Sequence, residues 1–219
     1  MQLSNEEEDY NLSLSKFESM LKTNKVLFFD SEEFEEIILH YIDSGKTSLA
    51  KKALKLALEQ HPKSTGLKLV QVEMLVYEDQ LDLADKMLNE LYAIEPNNEE
   101  IYIQKANICS KRDQHEKAVE LLKIALKYTD DYADVYNLIG MEYLFMDNLE
   151  MAKDSFIKCL EEDLEDQSAL YNVVYCFEFL DQNKEAIAYL NQYIEKNPYS
   201  EIAWHQVGRL HYGLKEYEE

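Results

Sequence analysis

Tyr171, Tyr175 and Phe179 stand four residues apart in the stretch "YNVVYCFEF". On a helix that spacing lays three rings along one face, and Met141 and Phe145 repeat the step upstream. Rings offer apolar area and phenols add a polar tip, a composition suited to a wet protein interface rather than to bond making. The types that do make bonds are poorly arranged. His40, His61, His115, His205 and His211 fall in no His-Glu-x-x-His or Cys/His pattern, so no metal site is expected. Cys109, Cys159 and Cys176 show no Cys-x-x-Cys spacing and lie in apolar runs, which reads as reduced, buried thiols. There is no glycine-rich phosphate loop and no Gly-x-Ser-x-Gly elbow, and the carboxylates are too numerous to single out an acid and a base. The expectation is a protein that binds and does not catalyse, with no cofactor.

Composition narrows the architecture. Of 219 residues 46% are hydrophobic and 30% charged, with only 5 Gly and 3 Pro, too few for the many tight turns of an all-β fold. A mostly helical chain follows. No run approaches the roughly 18 apolar residues of a membrane span, and "MQLSNEEEDYNLS" is acidic where a secretion signal is basic and then apolar, so a cytoplasmic protein is expected. A formal charge of −22, from 44 acidic against 22 basic residues, repels phosphate backbones and membrane surfaces and attracts basic partners. Neither nucleic acid nor membrane is an expected partner.

A short pattern recurs: "EDQLDLA" at 78, "RDQHEKA" at 112, "MDNLEMA" at 146 and "LDQNKEA" at 180. Its aspartates at 79, 113, 147 and 181 and alanines at 84, 118, 152 and 186 step by 34 residues; the same step backwards reaches Gly45 and Ala50, and forwards Lys215. Such a period marks stacked repeats. With units starting at 31, 65, 99, 133, 167 and 201, the fourth, eighth and eleventh places share one helical face and alternate large, small and large residues, as in Tyr136, Gly140 and Tyr143. A second helix follows, with the alanine column, then Leu54, Leu88, Leu122, Phe156 and Leu190, then Ala57, Leu91, Ala125, Cys159 and Tyr193. Asp and Asn side chains bond nearby backbone amides, so the Asp-Gln or Asp-Asn pair is expected to end one helix and start the next, with the alanine where the two cross most closely. Pro62, Pro96 and Pro198 mark the turns between units, where Asp130 and Leu164 stand in the other two.

The unit, with Trp204 and Gly208 in one copy, Tyr136, Gly140, Tyr143, Ala152 and Phe156 in another, and Ala186 and Pro198 in a third, resembles the tetratricopeptide repeat over residues 31–219. That resemblance implies an all-α fold, a right-handed α-α superhelix of 34-residue helix-turn-helix repeats, with five complete units and a half. It also implies an interaction scaffold whose first helices line a concave groove for a peptide or partner protein. The rows facing the groove are the fifth, ninth and thirteenth places of each unit. Among them are Glu35, Glu73 and Tyr77, then Asn107, Asn137, Met141 and Phe145, then Tyr171, Tyr175, Phe179, His205 and Arg209. The family's clamp for acidic C-terminal tails needs cations beside such asparagines, and none flank Asn107 and Asn137. Acids at the N-terminal end and rings at the C-terminal end instead suggest a peptide with Lys or Arg and with apolar or aromatic anchors. The alternative is a structural module that forms a homo-oligomer, or packs against a further C-terminal part of its own chain. Residues 201–219 hold a first helix without its second, which would leave Trp204, Val207 and His211 partly uncovered and leads to the expectation of a longer natural chain or a covering molecule.

Residues 1–30 read as an acidic lead, with "NEEEDYN" frayed and Leu14, Phe17 and Leu21 able to lay a short capping helix on the first repeat. Asp30 and Glu33 have capping-box spacing at the first helix start.

Overall fold

The computed structural model describes residues 5–23 and 26–214, and among these every regular element is a helix. Two compact units divide the chain, Met1–Pro96 and Asn97–Glu219. The turn position at Lys215 and the closing "KEYEE" lie outside the described residues.

The first unit holds α1 (Asn5–Thr23), α2 (Ser31–Asp43), α3 (Thr47–Gln60), α4 (Thr65–Tyr77) and α5 (Leu81–Tyr92). α1 starts at Asn5, well before the 14–21 stretch that spacing suggested, and includes "NEEEDYN" as helix. Phe17 is fully buried where α1 meets the core, with ring centroids 5.8 Å from Phe29, 6.3 Å from Phe34 and 6.1 Å from Tyr41. Residues 26–30 are stitched to the end of α3: Gln60 Nε2 donates to the Leu27 carbonyl at 2.9 Å and His61 Nε2 to the Phe29 carbonyl at 2.7 Å. The Asp30 amide donates to Glu33 Oε2 at 2.8 Å, and Ser13 Oγ donates to Glu33 Oε1 at 2.6 Å, so the cap of α2 also holds α1.

The second unit holds α6 (Glu99–Lys111), α7 (His115–Ala125), α8 (Tyr132–Phe145), α9 (Leu149–Glu162), α10 (Gln167–Phe179), α11 (Asn183–Lys196) and α12 (Glu201–Leu214). Its core runs from Tyr102 to Leu210 through the expected columns. Ala50, Ala84, Ala118, Ala152 and Ala186 are all fully buried, and so are Leu88, Phe156 and Leu190 in the column that follows. At one of the two junctions without proline, the Tyr193 hydroxyl donates to the Leu164 carbonyl at 2.6 Å. Trp204 stands 56% exposed on α12, its indole N–H donating to the Pro198 carbonyl at 3.0 Å.

The turn inside each helix pair works differently from the side-chain capping expected of it. Asp79, Asp113, Asp147 and Asp181 all adopt positive φ, between 55° and 61°, and Gly45 holds the equivalent place at 67°. In each, the backbone closes itself in a Schellman motif: the Asp147 amide donates to the Leu144 carbonyl at 2.9 Å, and the Asn148 amide to the Tyr143 carbonyl at 2.9 Å. The same pair of bonds recurs at 45/46, 79/80, 113/114 and 181/182. The residue after the left-handed one already caps the next helix; at Asn148 the side chain adds a bond from the Met151 amide at 3.3 Å. Asp recurs at this place because it tolerates the left-handed region, which costs most other non-glycine residues about 1–2 kcal/mol.

Asp147→Gly is therefore expected to stabilise by about 0.5–1 kcal/mol, the relief of left-handed strain exceeding the added entropy of the unfolded glycine, whereas Asp147→Val destabilises by about 1–2 kcal/mol. Urea unfolding monitored by circular dichroism measures both, and a stabilising valine would refute the assignment.

The alternation of large and small residues has a sharper consequence at Gly140. A Cβ built there would come within 2.6 Å of the Phe156 ring, which is fully buried, so α8 and α9 cross at van der Waals limit. Gly208 occupies the same place in α12 with nothing within 4 Å. At Gly140 overpacking of about 1–3 kcal/mol outweighs the roughly 1 kcal/mol gain in helix propensity, whereas at Gly208 only the gain remains. Gly140→Ala is thus expected to lower the thermal midpoint and Gly208→Ala to raise it.

Candidate functional site

Residues at the fifth, ninth and thirteenth places of a first helix lie off its packed stripe, and among the described residues all but the buried Leu69 stay at least partly accessible. In the second unit α10 carries Val173, Val174, Cys176 and Phe177 into the core and leaves Tyr171 49%, Tyr175 44% and Phe179 65% exposed. The Tyr175 and Phe179 rings lie 4.3 Å apart, forming one apolar strip. On α8 Phe145 is 59% exposed and stacks on the His115 ring at 5.2 Å, while Met141 is half-buried and its sulfur accepts from Asn172 Nδ2 at 3.8 Å.

The polar residues of these rows are largely engaged. Asn137 Nδ2 donates to Asp166 Oδ2 at 3.0 Å, and Asp166 in turn caps α10 by accepting from the Ala169 amide at 2.9 Å. Arg209 donates through both terminal nitrogens to the Glu178 carboxylate, at 2.8 and 2.7 Å, and through Nε to Gln206 at 2.8 Å. Two parallel bonds of this kind fix the guanidinium plane and tie α12 to α10. Hydrogen bonding to Glu178 holds the Arg209 guanidinium above its ordinary value. Asn107 is half-buried and His205 exposed.

In the first unit Glu35 and Glu73 are half-buried on α2 and α4, with Tyr77 70% exposed beyond them. Burial, then the neighbouring Glu32, raises the Glu35 carboxyl above the usual range; burial, then Asp43, does the same for Glu73. The Glu35 carboxylate lies over Gly66, where an added Cβ would collide with Oε1. Any side chain at position 66 would displace that carboxylate.

Among the described residues no group of three or more His, Cys, Asp or Glu could hold a metal ion, and no helix is long and apolar enough to cross a membrane. Burial lifts the Cys159 thiol to about 12 and the Cys176 thiol to about 11, which leaves both protonated and unreactive.

Three tetratricopeptide repeat models match the chain, over residues 75–141, 133–166 and 168–200. The chain belongs to the tetratricopeptide repeat family. Solved structures agree on the fold. Pseudomonas aeruginosa PilF superposes with a TM-score of 0.62 at 20% identity, covering 86% of this chain and 95% of that one. Cut9–Hcn1, a hetero-tetramer of the APC/C, gives 0.62 at 14% identity over 83% of this chain and 36% of that one. A thermophilic tetratricopeptide repeat protein of Thermus thermophilus gives 0.60 at 14% identity, over 83% and 98%. No curated protein matches the chain. Tetratricopeptide repeats are generally a non-enzymatic scaffold fold for protein–protein interaction, in keeping with an all-helical, solenoid-class chain.

Two residues that bond beside these rows escaped the sequence. His115 Nδ1 donates to Glu142 Oε2 at 2.8 Å, with Glu142 itself buried, and this pair holds the ring on which Phe145 stacks. The partners are 27 residues apart and share no column, so no spacing signals them. Glu178 was equally silent, because its role depends on an arginine one unit away.

The raised carboxyls carry a pH signature. The unfolded chain releases the Glu73 proton near 4.5 and the folded chain only at higher pH, so stability from this group falls as pH rises from 4.5 through the folded value. Glu73→Gln is expected to raise the thermal midpoint at pH 7, with the gain fading below pH 4.5. A difference independent of pH between the two conditions would contradict this.

Proposed function

We propose that this chain is a protein-binding scaffold whose first-helix face in the second unit captures a peptide segment of a partner protein through apolar or aromatic anchors. The observation that carries the reading is the row of exposed rings. Tyr171, Tyr175, Phe179 and Phe145 are 44–65% exposed, whereas the phenylalanines of the core, such as Phe17, Phe34 and Phe156, are fully buried. Rigid rings with few torsions gain contact area at low entropic cost, which is why they concentrate at interface centres. Arg209 and Glu178 fix the α10–α12 edge of the strip, and the His115–Glu142 pair fixes Phe145. The face is thus held in shape before a ligand arrives, which reduces the ordering cost of binding.

The first-helix face of the first unit is assigned a different task. Glu35 and Glu73 hold carboxyls that burial and like charge both disfavour as anions. A Lys or Arg side chain placed against them relieves that repulsion and is steered there by the net charge of −22. A partner with basic and apolar side chains answers both faces.

Panning a peptide-display library on the whole chain tests the assignment. Enriched peptides are expected to carry aromatic or large aliphatic anchors and to lose about tenfold or more in affinity when Tyr171→Ala and Tyr175→Ala are combined, hot-spot rings being worth about 2 kcal/mol or more. Both side chains are half exposed, so helicity is expected to survive the change. Unchanged affinity in a folded double variant would dismiss the face.

A further inference from the structure

Residues 44–72 invert the charge of the chain: six of its 22 basic residues fall there, with Glu59 the one acid out of 44. Four of the six lysines are Lys51, Lys52, Lys55 and Lys68, carried on α3 and α4 of the first unit. Lys51 is ion-paired with Glu78, but Lys55 and Lys68 have no carboxylate partner among the described residues. Lys68 also breaks a column. It stands half-buried at the fourth place of its unit, where the other units have Phe34, Tyr102, Tyr136, Leu170 and Trp204.

Lys51, Lys55 and Lys68 border a furrow. One cleft of about 380 Å³ lies along α3, between Leu54, Lys55 and Leu58. A second of about 340 Å³ continues past Leu58 to Lys68, Met87, Leu91 and Ile94. The two share Leu58 and Gln71 and so form one continuous depression. Its floor is aliphatic, Leu54 and Leu91 being buried, and Ile94 stands 65% exposed at the far rim. Among the described residues Glu59 and Glu90 are the acids that line it.

An aliphatic floor rewards apolar side chains in proportion to the area they cover, and unpaired lysines at its edge reward carboxylates. Phosphate-bearing chains fit less well. Among the described residues the lining holds no aromatic ring on which a base could stack, and the net charge of −22 repels a long polyanion. We propose that this furrow docks an acidic amphipathic segment of a partner protein, its aliphatic side chains seated on Leu54, Leu58 and Leu91 and its carboxylates paired with Lys55 and Lys68. The chemistry is the converse of the first-helix face of the same unit, where Glu35 and Glu73 favour cations. This site stands independently of the ring strip on α10.

Fluorescence anisotropy on the whole chain at physiological salt tests it. The probe is a labelled, end-capped peptide about 18 residues long, some five helical turns, with Leu at helical three- and four-residue spacing and Glu and Ala elsewhere. A twin has Lys for each Glu, and an oligothymidine of about the same charge serves as the polyanion control. Saturable binding of the acidic peptide alone is expected. It should weaken by about tenfold in Lys55→Glu with Lys68→Glu, and measurably in Ile94→Asp, an exposed position where folding is not at risk. Tyr171→Ala with Tyr175→Ala should leave it unchanged. The proposal is overturned by an absence of saturable binding, by equal binding of the lysine twin, or by displacement of the peptide with oligothymidine. Full affinity in the folded double lysine variant would overturn it as well.

Discussion

One residue per helix pair turning into the left-handed region is the constraint on which the remaining features depend. At Asp79, Asp113, Asp147 and Asp181 the positive φ lets two backbone amides reach back to the helix just ended, so the chain reverses within two residues. A reversal that short fixes where the second helix starts relative to the first. The buried alanine then always falls five residues later and the apolar residue of the next column four after that. A longer turn would let the register drift and place polar side chains against the core. Gly140 and Phe156 show how little drift is available, since a single added carbon has no room.

A regular core leaves the first-helix rows free to vary, and the variation differs between the two units. The second unit fills them with rings and with pairs that hold the rings, such as Glu178 with Arg209. The first places carboxylates where burial and like charge raise their proton affinity, and gathers lysines along α3 and α4. The proposed binding surfaces therefore lie in deviations from the repeat, and Lys68 is the plainest example: a poor match to its column that lines a cleft.

The helix pairs were legible in the sequence because the columns are set by burial, and burial recurs at a fixed period. The reason for the aspartate column was not. Asp suggests a side-chain cap, whereas the backbone makes the turn; the clue was Gly45, the glycine in the same register, whose shared property with Asp is tolerance of positive φ. α1 extended further than apolar spacing indicated, since a helix can run beyond the apolar stripe that signals it. Among the site residues, spacing identified which rings share a face but not which polar groups were engaged. Asn137 and Arg209 bond to residues 29 and 31 positions away, and His115 to one 27 away. Such partners are chosen by the stacking of units, which periodicity implies only in outline.

The two-residue reversal also bears on how the chain reaches its fold. The bonds that close each turn join residues three and five apart, and α8 with α9 or α6 with α7 are neighbours both in sequence and in space. Little loop-closure entropy opposes such contacts, and a topology dominated by them has low contact order, the condition for rapid folding. Each hairpin is a place where structure can nucleate and spread to its neighbours. The left-handed aspartate thus keeps each pair's contacts local, the kind of contact that favours rapid assembly.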